Sequence, residues 1–383
     1  KFEIFSRDTF IKGQKESIKK ALTKNECPLK PKHARVIILG THQEKSSMLF
    51  WSNATSIQLE SHPLITWKFC HLLHTLIRDG HSSVTDESIR HISRIVALGE
   101  YWKGKQASGT SPYCVTNWRY CNAITERLQF HSMFFQIPGS LTVEWKVLRS
   151  IHRKPDESLA ACSAVLDQMD CLLWLQREVF DSLKKLEYSD KDPQGQALLA
   201  PLTLVVKDVS ALYEIAQQYM FHLHTLYPAI ILEGHRERFQ NTFRLTRDFY
   251  KAVNQCAYFK YLISRPDLPE FPPSFIDTQN DSRGAGTALK SGRYGRPESE
   301  LLATLQLHER SYSNTDDDDF LARTPPSAPL LDDFFGNPRE GNLLSTLQQH
   351  ERRCCCEYAD PRLYDVPPAT DPSESIYENI GDK

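Results

Sequence analysis

Three lysines and one histidine near the start of the chain have the types and spacing of an anion-binding site. Lys20, Lys30, Lys32 and His33 follow the pattern K-x9-K-x-K-H. An ammonium group is a compact charge with three donors on a long stem, so several of them suit a ligand that carries more than one phosphate. Four charge-assisted contacts would contribute about 6–12 kcal/mol. Since association costs about 4–15 kcal/mol, the pattern predicts a weak to moderate single site.

A plainer interpretation of the same residues is a solvated basic face. Residues 1–42 hold ten Lys and Arg against four acidic residues, a net charge of +6. This excess favours an anionic partner, and next to an anionic membrane each basic residue adds about 1 kcal/mol. Nucleic acid is not expected as a partner, because no basic stripe continues through the rest of the helical part.

Two prolines, Pro28 and Pro31, flank Lys30. Proline fixes φ, removes a backbone donor and disfavours helical geometry at the residue before it. We therefore expect this stretch to be a stiff, extended loop. Because residues i and i+2 of an extended chain point the same way, Lys30 and Lys32 should project together, while His33 takes a different angle.

The elements that must position these residues are predicted to be helices. From Ser17 to Ile263 apolar residues recur at i, i+3, i+4 and i+7, and few runs alternate with a period of two. The clearest segments are Ser158–Leu186, Gln196–Leu226 and Gly234–Ile263. We predict an all-α fold class in which long helices form a bundle or solenoid, with Lys20 near the end of an early helix.

The histidines and cysteines show no catalytic or metal-binding pattern. His71 and His74 share a helix face but lie in an apolar run, where core histidines are expected. A zinc site needs four suitably spaced ligands, and Cys114 and Cys121 match no common spacing. Phosphate-cradling glycine loops, nucleophile elbows and HExxH motifs are absent from the sequence. We therefore predict no enzyme activity, no cofactor and no metal site, and we expect the cysteines to be reduced thiols.

The composition changes at a proline cluster, Pro269, Pro272 and Pro273. Residues 1–275 carry 35 basic and 28 acidic side chains, a net charge of +7, whereas residues 276–383 carry 11 and 20, a net charge of −9. The second part is rich in Gly, Ser, Pro, Asp and Thr and cannot offset a chain entropy of roughly 1–2 kcal/mol per residue. We predict a folded domain over 1–275 and a disordered acidic tail over 276–383.

Five motifs carry a resemblance to a known family. They are KHAR-x3-LGTH-x-EK (Lys32–Lys45), WKFCH-x2-H-x-L-x-RDGH (Trp67–His81), IPGSL (Ile137–Leu141), GHRERF (Gly234–Phe239) and LPEFPPSF (Leu268–Phe275). Together they resemble the ANTH domain of the huntingtin-interacting protein 1 family, over about residues 5–275. The resemblance implies a right-handed α-helical solenoid, similar to ANTH and ENTH domains, that ends in a longer helical bundle.

The resemblance also implies a ligand and a place in the cell. The four residues Lys20, Lys30, Lys32 and His33 match the family's lipid motif and would hold a phosphatidylinositol bisphosphate, the 4,5 isomer of the plasma membrane. The implied role is that of a cytoplasmic, membrane-associated adaptor in clathrin-mediated endocytosis, peripheral on the inner face of the plasma membrane and on clathrin-coated pits or vesicles. No membrane-spanning segment is expected, because we find no apolar stretch of 18 or more residues.

The predicted tail carries short motifs that resemble partner sequences. One acidic and hydrophobic run consists of Leu330, Leu331, Asp332, Asp333 and Phe334. This run resembles the motifs through which endocytic tails engage clathrin or its adaptor complex, and the alternative is a plain acidic tail. Tyr364 and Tyr377 begin Tyr-Asp-Val-Pro and Tyr-Glu-Asn-Ile, which resemble SH2-domain ligands once phosphorylated.

Two functional hypotheses follow. The first is a phosphoinositide-binding endocytic adaptor whose tail recruits coat or signalling partners. The second is a phosphotyrosine-regulated, protein-binding scaffold with an SH2-ligand tail. Members of the resembled family continue into a long coiled coil and an actin-binding module, but no a/d heptad pattern persists in this sequence, so actin binding is not expected of this chain.

Overall fold

The computed structural model describes residues 7–105, 111, 113–151, 154–263 and 268–275. Within these ranges every regular element is a helix, and no strand occurs. The helices are α1 (Arg7–Ala21), α2 (Pro31–Glu44), α3 (Met48–Thr55), α4 (Pro63–Asp79), α5 (Ser83–Ile89), α6 (Ile92–Lys105), α7 (Tyr113–Met133), α8 (Trp145–Ile151), α9 (Pro155–Lys185), α10 (Pro193–Leu199), α11 (Leu202–Leu226) and α12 (Glu233–Gln255). Two short 3-10 turns cover Leu59–Ser61 and Ala257–Phe259. The all-α prediction is confirmed.

Proline opens four of these helices. Helices α2, α4, α9 and α10 begin at Pro31, Pro63, Pro155 and Pro193. The first helical position suits proline, because its N–H would have no partner there and its fixed φ already matches the helix. The residue before each proline is extended, as expected from the steric clash with the ring. The same residue type therefore sets both the end of a loop and the start of a helix.

Two long helices connect the early part of the fold to the late part. Helix α7 packs on α4, α5 and α6 and also on α9, while α9 packs on α10, α11 and α12. At the start of the chain, α1 packs on α2 and α3, and α2 in turn packs on α4. The result is a succession of short helices that leads into a bundle of long ones.

Helix α9 corrects one expectation from the sequence. It contains an 18-residue window with a mean hydropathy of 1.2, which is long and apolar enough to cross a membrane. Yet 67% of that window is buried inside the fold, because α9 lies against α7, α11 and α12. The apolar length of α9 is accounted for by its central place in the bundle.

A buried polar network joins α4, α7 and α11. The Asp208 carboxylate accepts hydrogen bonds from Arg78 and, at 2.9 Å, from Nη1 of Arg127, and it lies 2.7 Å from Nε2 of His74. Nδ1 of His74 lies 3.0 Å from the Tyr120 hydroxyl. Burial, with the nearby guanidinium groups of Arg127 and Arg78, lowers the pKa of His74 well below its usual value. A neutral His74 donates to Asp208 and accepts from Tyr120, so the prediction that it is a satisfied core histidine is confirmed.

The last described segment closes over the final two helices. Phe275 is buried, and its ring centroid lies 4.9 Å from that of Phe221, 5.4 Å from that of His224 and 5.1 Å from that of Phe239. The last residue of the LPEFPPSF motif, Phe275, thus packs against α11 and α12. The division of the chain at residue 276 stays a prediction, and the tail residues Leu330–Phe334, Tyr364 and Tyr377 lie outside the described residues.

Candidate functional site

The four predicted site residues lie where α1 ends and α2 begins. Lys20 is in the last turn of α1, Lys30 precedes the first residue of α2, and Lys32 and His33 belong to the first turn of α2. The three lysines are exposed and the histidine is half-buried. We refer to these four residues as the basic corner.

The structure corrects the predicted conformation of this stretch. Lys30 is extended, with φ −72° and ψ 117°, as expected before a proline. Lys32 and His33, however, are helical, and the His33 N–H donates to the Lys30 carbonyl oxygen at 3.0 Å. The prediction of an extended loop through His33 was wrong, because Pro31 occupies the first position of α2, where proline favours the helix.

The charges of the three lysines converge on His33. Burial lowers the pKa of His33, and the positive charges of Lys32, Lys20 and Lys30 lower it further, while Glu16 has a weaker, opposite effect. Like charges act on one another in this way only over short distances, since exposed charges are screened beyond about 8–10 Å. The charges of Lys20 on α1 and of the residues at the start of α2 therefore act on one another within the basic corner.

The N-terminus of α2 adds its own positive potential to the corner. A helix carries roughly half a positive charge at this end, which ordinarily favours acidic residues in the first turn. The first turn of α2 contains no acidic residue, and the Lys30 side chain does not cap it. Within the described part of the chain, the Lys32 N–H has no hydrogen-bond acceptor. An unsatisfied N–H group, a helix dipole and converging ammonium groups together form an anion-binding arrangement.

One carboxylate competes inside the corner. Oε1 of Glu16 lies 3.1 Å from Nζ of Lys20, one turn away on α1, and both side chains are 56% exposed. An exposed pair of this kind contributes about 0.3–0.5 kcal/mol. A phosphate group can therefore displace Glu16 from Lys20 at little cost.

Lys68 is a supporting residue that sequence reasoning missed. It lies on α4, is buried, and donates from Nζ to Oγ1 of Thr23 at 3.0 Å and to the carbonyl oxygen of Asn25 at 2.7 Å. Burial lowers the pKa of Lys68, the nearby Cys27 opposes this effect, and the charge of Lys30 adds to it. Lys68 thus holds the loop that leads from α1 to Lys30. The sequence did contain one indication of this role, namely a lysine inside the apolar run of α4.

The LGTH motif fixes the angle of α2. Nε2 of Gln14 on α1 donates to the Val36 carbonyl oxygen at 3.0 Å, and a Cβ at Gly40 would lie only 2.4 Å from the same amide nitrogen. Oγ1 of Thr41 accepts a hydrogen bond from the His81 N–H at 3.1 Å, and this bond attaches α2 to the turn that follows α4. The motif therefore acts by packing, and it orients the helix that carries Lys32 and His33.

The described residues contain no group of three or more His, Cys, Asp and Glu side chains placed to hold a metal ion. The seven cysteines in this part of the chain are free thiols. Cys70 and Cys121 lie in contact in the core, with their sulfur atoms 3.7 Å apart. What the basic corner offers chemically is a set of hydrogen-bond donors and positive charges, which suits an anion.

Comparison with known proteins agrees with the motif resemblance. The family model described as the ANTH domain matches residues 13–283. The chain is 43% identical over 271 residues to "Huntington interacting protein related 1" of Caenorhabditis elegans, an overlap of 71% of this chain and 29% of that protein. It is 34% identical over 275 residues to "Huntingtin-interacting protein 1" of Homo sapiens, covering 72% of this chain and 26% of that protein. The chain thus spans less than a third of the length of these relatives.

A solved structure with the same fold is "The ENTH domain from epsin-2 in complex with phosphatidylinositol 4,5-bisphosphate (PIP2)". It superimposes with a TM-score of 0.62 at 21% sequence identity and covers 68% of this chain and 99% of that chain. At this identity the likeness shows the fold alone. It confirms the predicted fold class, an α-helical solenoid similar to ANTH and ENTH domains.

Proposed function

The chain belongs to the ANTH domain family, and from this premise we propose that it is a phosphoinositide-binding adaptor in clathrin-mediated endocytosis. The family match confirms the resemblance carried by the five motifs. The proposed ligand is phosphatidylinositol 4,5-bisphosphate, and the proposed contacts are Lys20, Lys30, Lys32 and His33. The observation that carries the proposal is the placement of Lys20 in the last turn of α1 and of Lys30, Lys32 and His33 at the start of α2, whose first turn contains no acidic residue.

The arrangement suits two phosphates better than one. The first turn of α2 provides Lys32 and its free N–H, with Lys30 beside them, while Lys20 approaches from α1. Groups on two separate helices can contact phosphates on different positions of one inositol ring. Support for this ligand class also comes from the epsin-2 ENTH domain, which was solved with phosphatidylinositol 4,5-bisphosphate.

Recruitment to a membrane needs more than the single headgroup. Four charge-assisted contacts of about 1.5–3 kcal/mol each are largely offset by the cost of association, about 4–15 kcal/mol. Exposed lysines on α1, Lys12, Lys15 and Lys19, extend the positive surface away from the corner. Their attraction to other anionic lipids raises the affinity without a specific contact. We therefore expect binding that depends on both the headgroup and the ionic strength.

Vesicle co-sedimentation of the full chain tests the ligand and the site together. We expect binding to phosphatidylcholine vesicles only when they contain phosphatidylinositol 4,5-bisphosphate. The double variant Lys30→Glu, Lys32→Glu should lose about 100-fold or more in affinity, because two contacts of about 1.5–3 kcal/mol become repulsions.

A matched control makes the same change of charge elsewhere. Lys146 on α8 and Lys154 just before α9 are both exposed and lie at the N-terminal end of α9, whereas the segment after its C-terminal end approaches the loop before Lys30. The variant Lys146→Glu, Lys154→Glu should bind vesicles nearly as well as the parent chain. Equal loss in the two variants would mean that net charge, and no defined headgroup site, holds the protein on the membrane.

The isomer preference is tested by competition with soluble headgroups. We expect inositol 1,4,5-trisphosphate to displace the chain from vesicles at lower concentration than inositol 1,3,5-trisphosphate or inositol hexasulfate. The charges of these competitors are similar or greater, so the order of potency reports on geometry. An order that follows charge alone would contradict the 4,5 assignment.

The tail motifs complete the adaptor proposal. We propose that Leu330–Phe334 engages clathrin or its adaptor complex and that phosphorylated Tyr364 and Tyr377 engage SH2-domain proteins. The competing scaffold hypothesis predicts that Tyr364→Phe with Tyr377→Phe abolishes partner capture while lipid binding is dispensable for localisation. The adaptor proposal predicts the reverse, that the lysine-pair variant leaves the plasma membrane even with both tyrosines intact.

A further inference from the structure

A second cleft lies away from the basic corner, between the end of α4, the end of α7 and the IPGSL segment. Its volume is ≈ 220 Å³, and its walls include Arg78, His131, Phe135, Ile137 and Pro138. Sites for drug-sized ligands measure about 300–1,000 Å³, whereas a water molecule takes about 30 Å³ of liquid. The cleft is therefore large enough for one or two side chains of a peptide and too small for a typical cofactor.

The imidazole of His131 is a buried polar group without a normal partner. His131 is 1% exposed, and neither ring nitrogen forms a hydrogen bond of ordinary geometry with the described residues. Burial and the charge of Arg127 lower the pKa of His131, a backbone contact with Ile137 raises it, and the net result is a pKa of about 3. Buried polar side chains nearly always have partners, so an unsatisfied one in the wall of a cleft points to a ligand that supplies the partner.

Arg78 adds a positive charge to the same cleft. Arg78 and Arg127 share one buried carboxylate, that of Asp208. The other carboxylate that affects Arg78 is Asp79, which is exposed to solvent. Arg78 uses Nη1 for Asp208 and forms no other side-chain hydrogen bond with the described part of the chain. The remaining guanidinium donors and the partly compensated charge favour an anion.

The rim of the cleft decides which anion is suitable. Asp86 is exposed on one side, and its negative charge disfavours a multiply charged phosphate. Phe135 lines the other side of the cleft and is 71% exposed, so most of its ring faces solvent at the mouth. A ligand that binds Arg78 through an anionic group and also covers the exposed ring of Phe135 needs an apolar group beside the anion, which neighbouring side chains of a peptide provide. A single carboxylate suits Arg78 and His131, and an aromatic or apolar side chain next to it suits Phe135.

We propose that this cleft binds a partner peptide in which an acidic residue neighbours an aromatic residue. The carboxylate accepts hydrogen bonds from Arg78 and His131, and the aromatic ring packs on Phe135 and Pro138. This site is independent of the basic corner, so the Lys30→Glu, Lys32→Glu variant should bind the peptide as the parent chain does.

The methionines provide a direct readout in the full chain. The sequence contains four methionines, and Met133 lies two residues from both His131 and Phe135. Met133 is 50% exposed, whereas Met48 on α3 is 72% exposed and serves as an internal control. Protein labelled with [methyl-13C]methionine is titrated with acetyl-Asp-Phe-amide, with acetyl-Asn-Phe-amide and with sodium acetate. We expect a saturable shift of the Met133 signal with the Asp peptide, no matching shift of Met48, and at least about tenfold weaker binding of the other two compounds.

Several results would overturn the proposal. They are a Met133 signal that does not move, equal movement of Met48, or equal affinity for the Asn peptide. Acetate that binds as tightly as the peptide would also overturn it, since the aromatic contact would then contribute nothing.

Two variants locate the binding site. Phe135→Ala should weaken the Asp peptide about fivefold or more, while Phe271→Ala, an aromatic residue that is 72% exposed elsewhere, should not. Arg78→Lys keeps the charge but loses the planar fork, so it should weaken binding about tenfold. If Arg78→Lys does not fold, Phe135→Ala decides the question. Unchanged affinity in Phe135→Ala would refute a peptide site in this cleft.

Discussion

Glu126 should make the stability of the domain depend on pH near neutrality. It lies on α7, facing a cluster in which Nη2 of Arg238 on α12 lies 2.6 Å from Oδ1 of Asp167 and 2.6 Å from Oδ2 of Asp170 on α9. Burial and, after it, the charge of Asp167 raise the pKa of Glu126, the charge of Arg238 lowers it, and the net result is a pKa of about 7. The variant Glu126→Gln places a neutral side chain of nearly the same shape between α7, α9 and α12.

The sign of the effect follows from linkage. The pKa of Glu126 is higher in the folded chain than in the unfolded chain, so the folded state holds the proton more tightly. Its contribution to stability is fully present below the unfolded value of about 4.3 and is lost as the pH rises to about 7. A shift of one unit corresponds to about 1.4 kcal/mol. Because the side chain keeps partial contact with water, we expect a loss of about 1–3 kcal/mol between these limits.

Thermal unfolding of the parent chain and of Glu126→Gln at pH 5 and at pH 8 measures this difference. At pH 8 the variant should unfold about 2–12 °C higher than the parent, given about 2–4 °C per kcal/mol for a domain of this size. At pH 5 the gain should be much smaller, because Glu126 is still protonated in the folded chain and only the ionisation of the unfolded chain above about pH 4.3 has begun to lower the stability. Glu100→Gln on α6, where the side chain is exposed, is the control and should change neither value. A gain in stability that is the same at both pH values would refute the assignment of the pH dependence to Glu126.

Three further predictions concern the basic corner. Burial and the neighbouring lysines lower the pKa of His33 in the free chain, and a bound phosphate should raise it. Vesicle binding should therefore strengthen from about pH 7.5 to about pH 5.5, and His33→Gln should reduce this dependence. Lys68→Met should weaken headgroup binding several-fold, because the loop before Lys30 loses two fixed hydrogen bonds, and Lys68→Arg should restore part of it in the same competition assay. Lys32→Glu should bind vesicles poorly yet unfold at the same or a slightly higher temperature, since an acidic residue in the first turn of a helix contributes about 0.3–1 kcal/mol; lower stability would mean that Lys32 serves the fold.

The sequence predicted the features that depend on local pattern. Helical periodicity located the long helices, and the motif spacing placed Lys20, Lys30, Lys32 and His33 in one set. The local error at Lys32 and His33 came from Pro31, whose ring both ends a loop and begins a helix. Which of these two effects dominates depends on the packing of α2 on α1 and α4. The local sequence pattern gives no information about that packing.

Contacts between distant segments could not be predicted in this way. Lys68 lies 43 and 45 positions from the residues it holds, and Asp208 lies 134 positions from His74. A lone lysine in an apolar run and a lone aspartate in α11 each give a weak signal, because their partners are known only after the helices pack. The same applies to the cleft at Arg78 and His131, whose walls come from three separate segments.

The two sites differ in how the fold tolerates their charge. At the basic corner the lysines are exposed to water, so their mutual repulsion is screened. The remaining unfavourable energy comes mainly from positive side chains beside the positive end of the α2 dipole. At Arg78 and Arg127 the guanidinium groups are mostly or fully buried, and the fold compensates them with Asp208. An exposed cluster of uncompensated charge is free to exchange water for phosphate, whereas a buried one must keep its partner in order to fold. Removing the corner's lysines should therefore change binding more than stability, and removing Asp208 should change stability first.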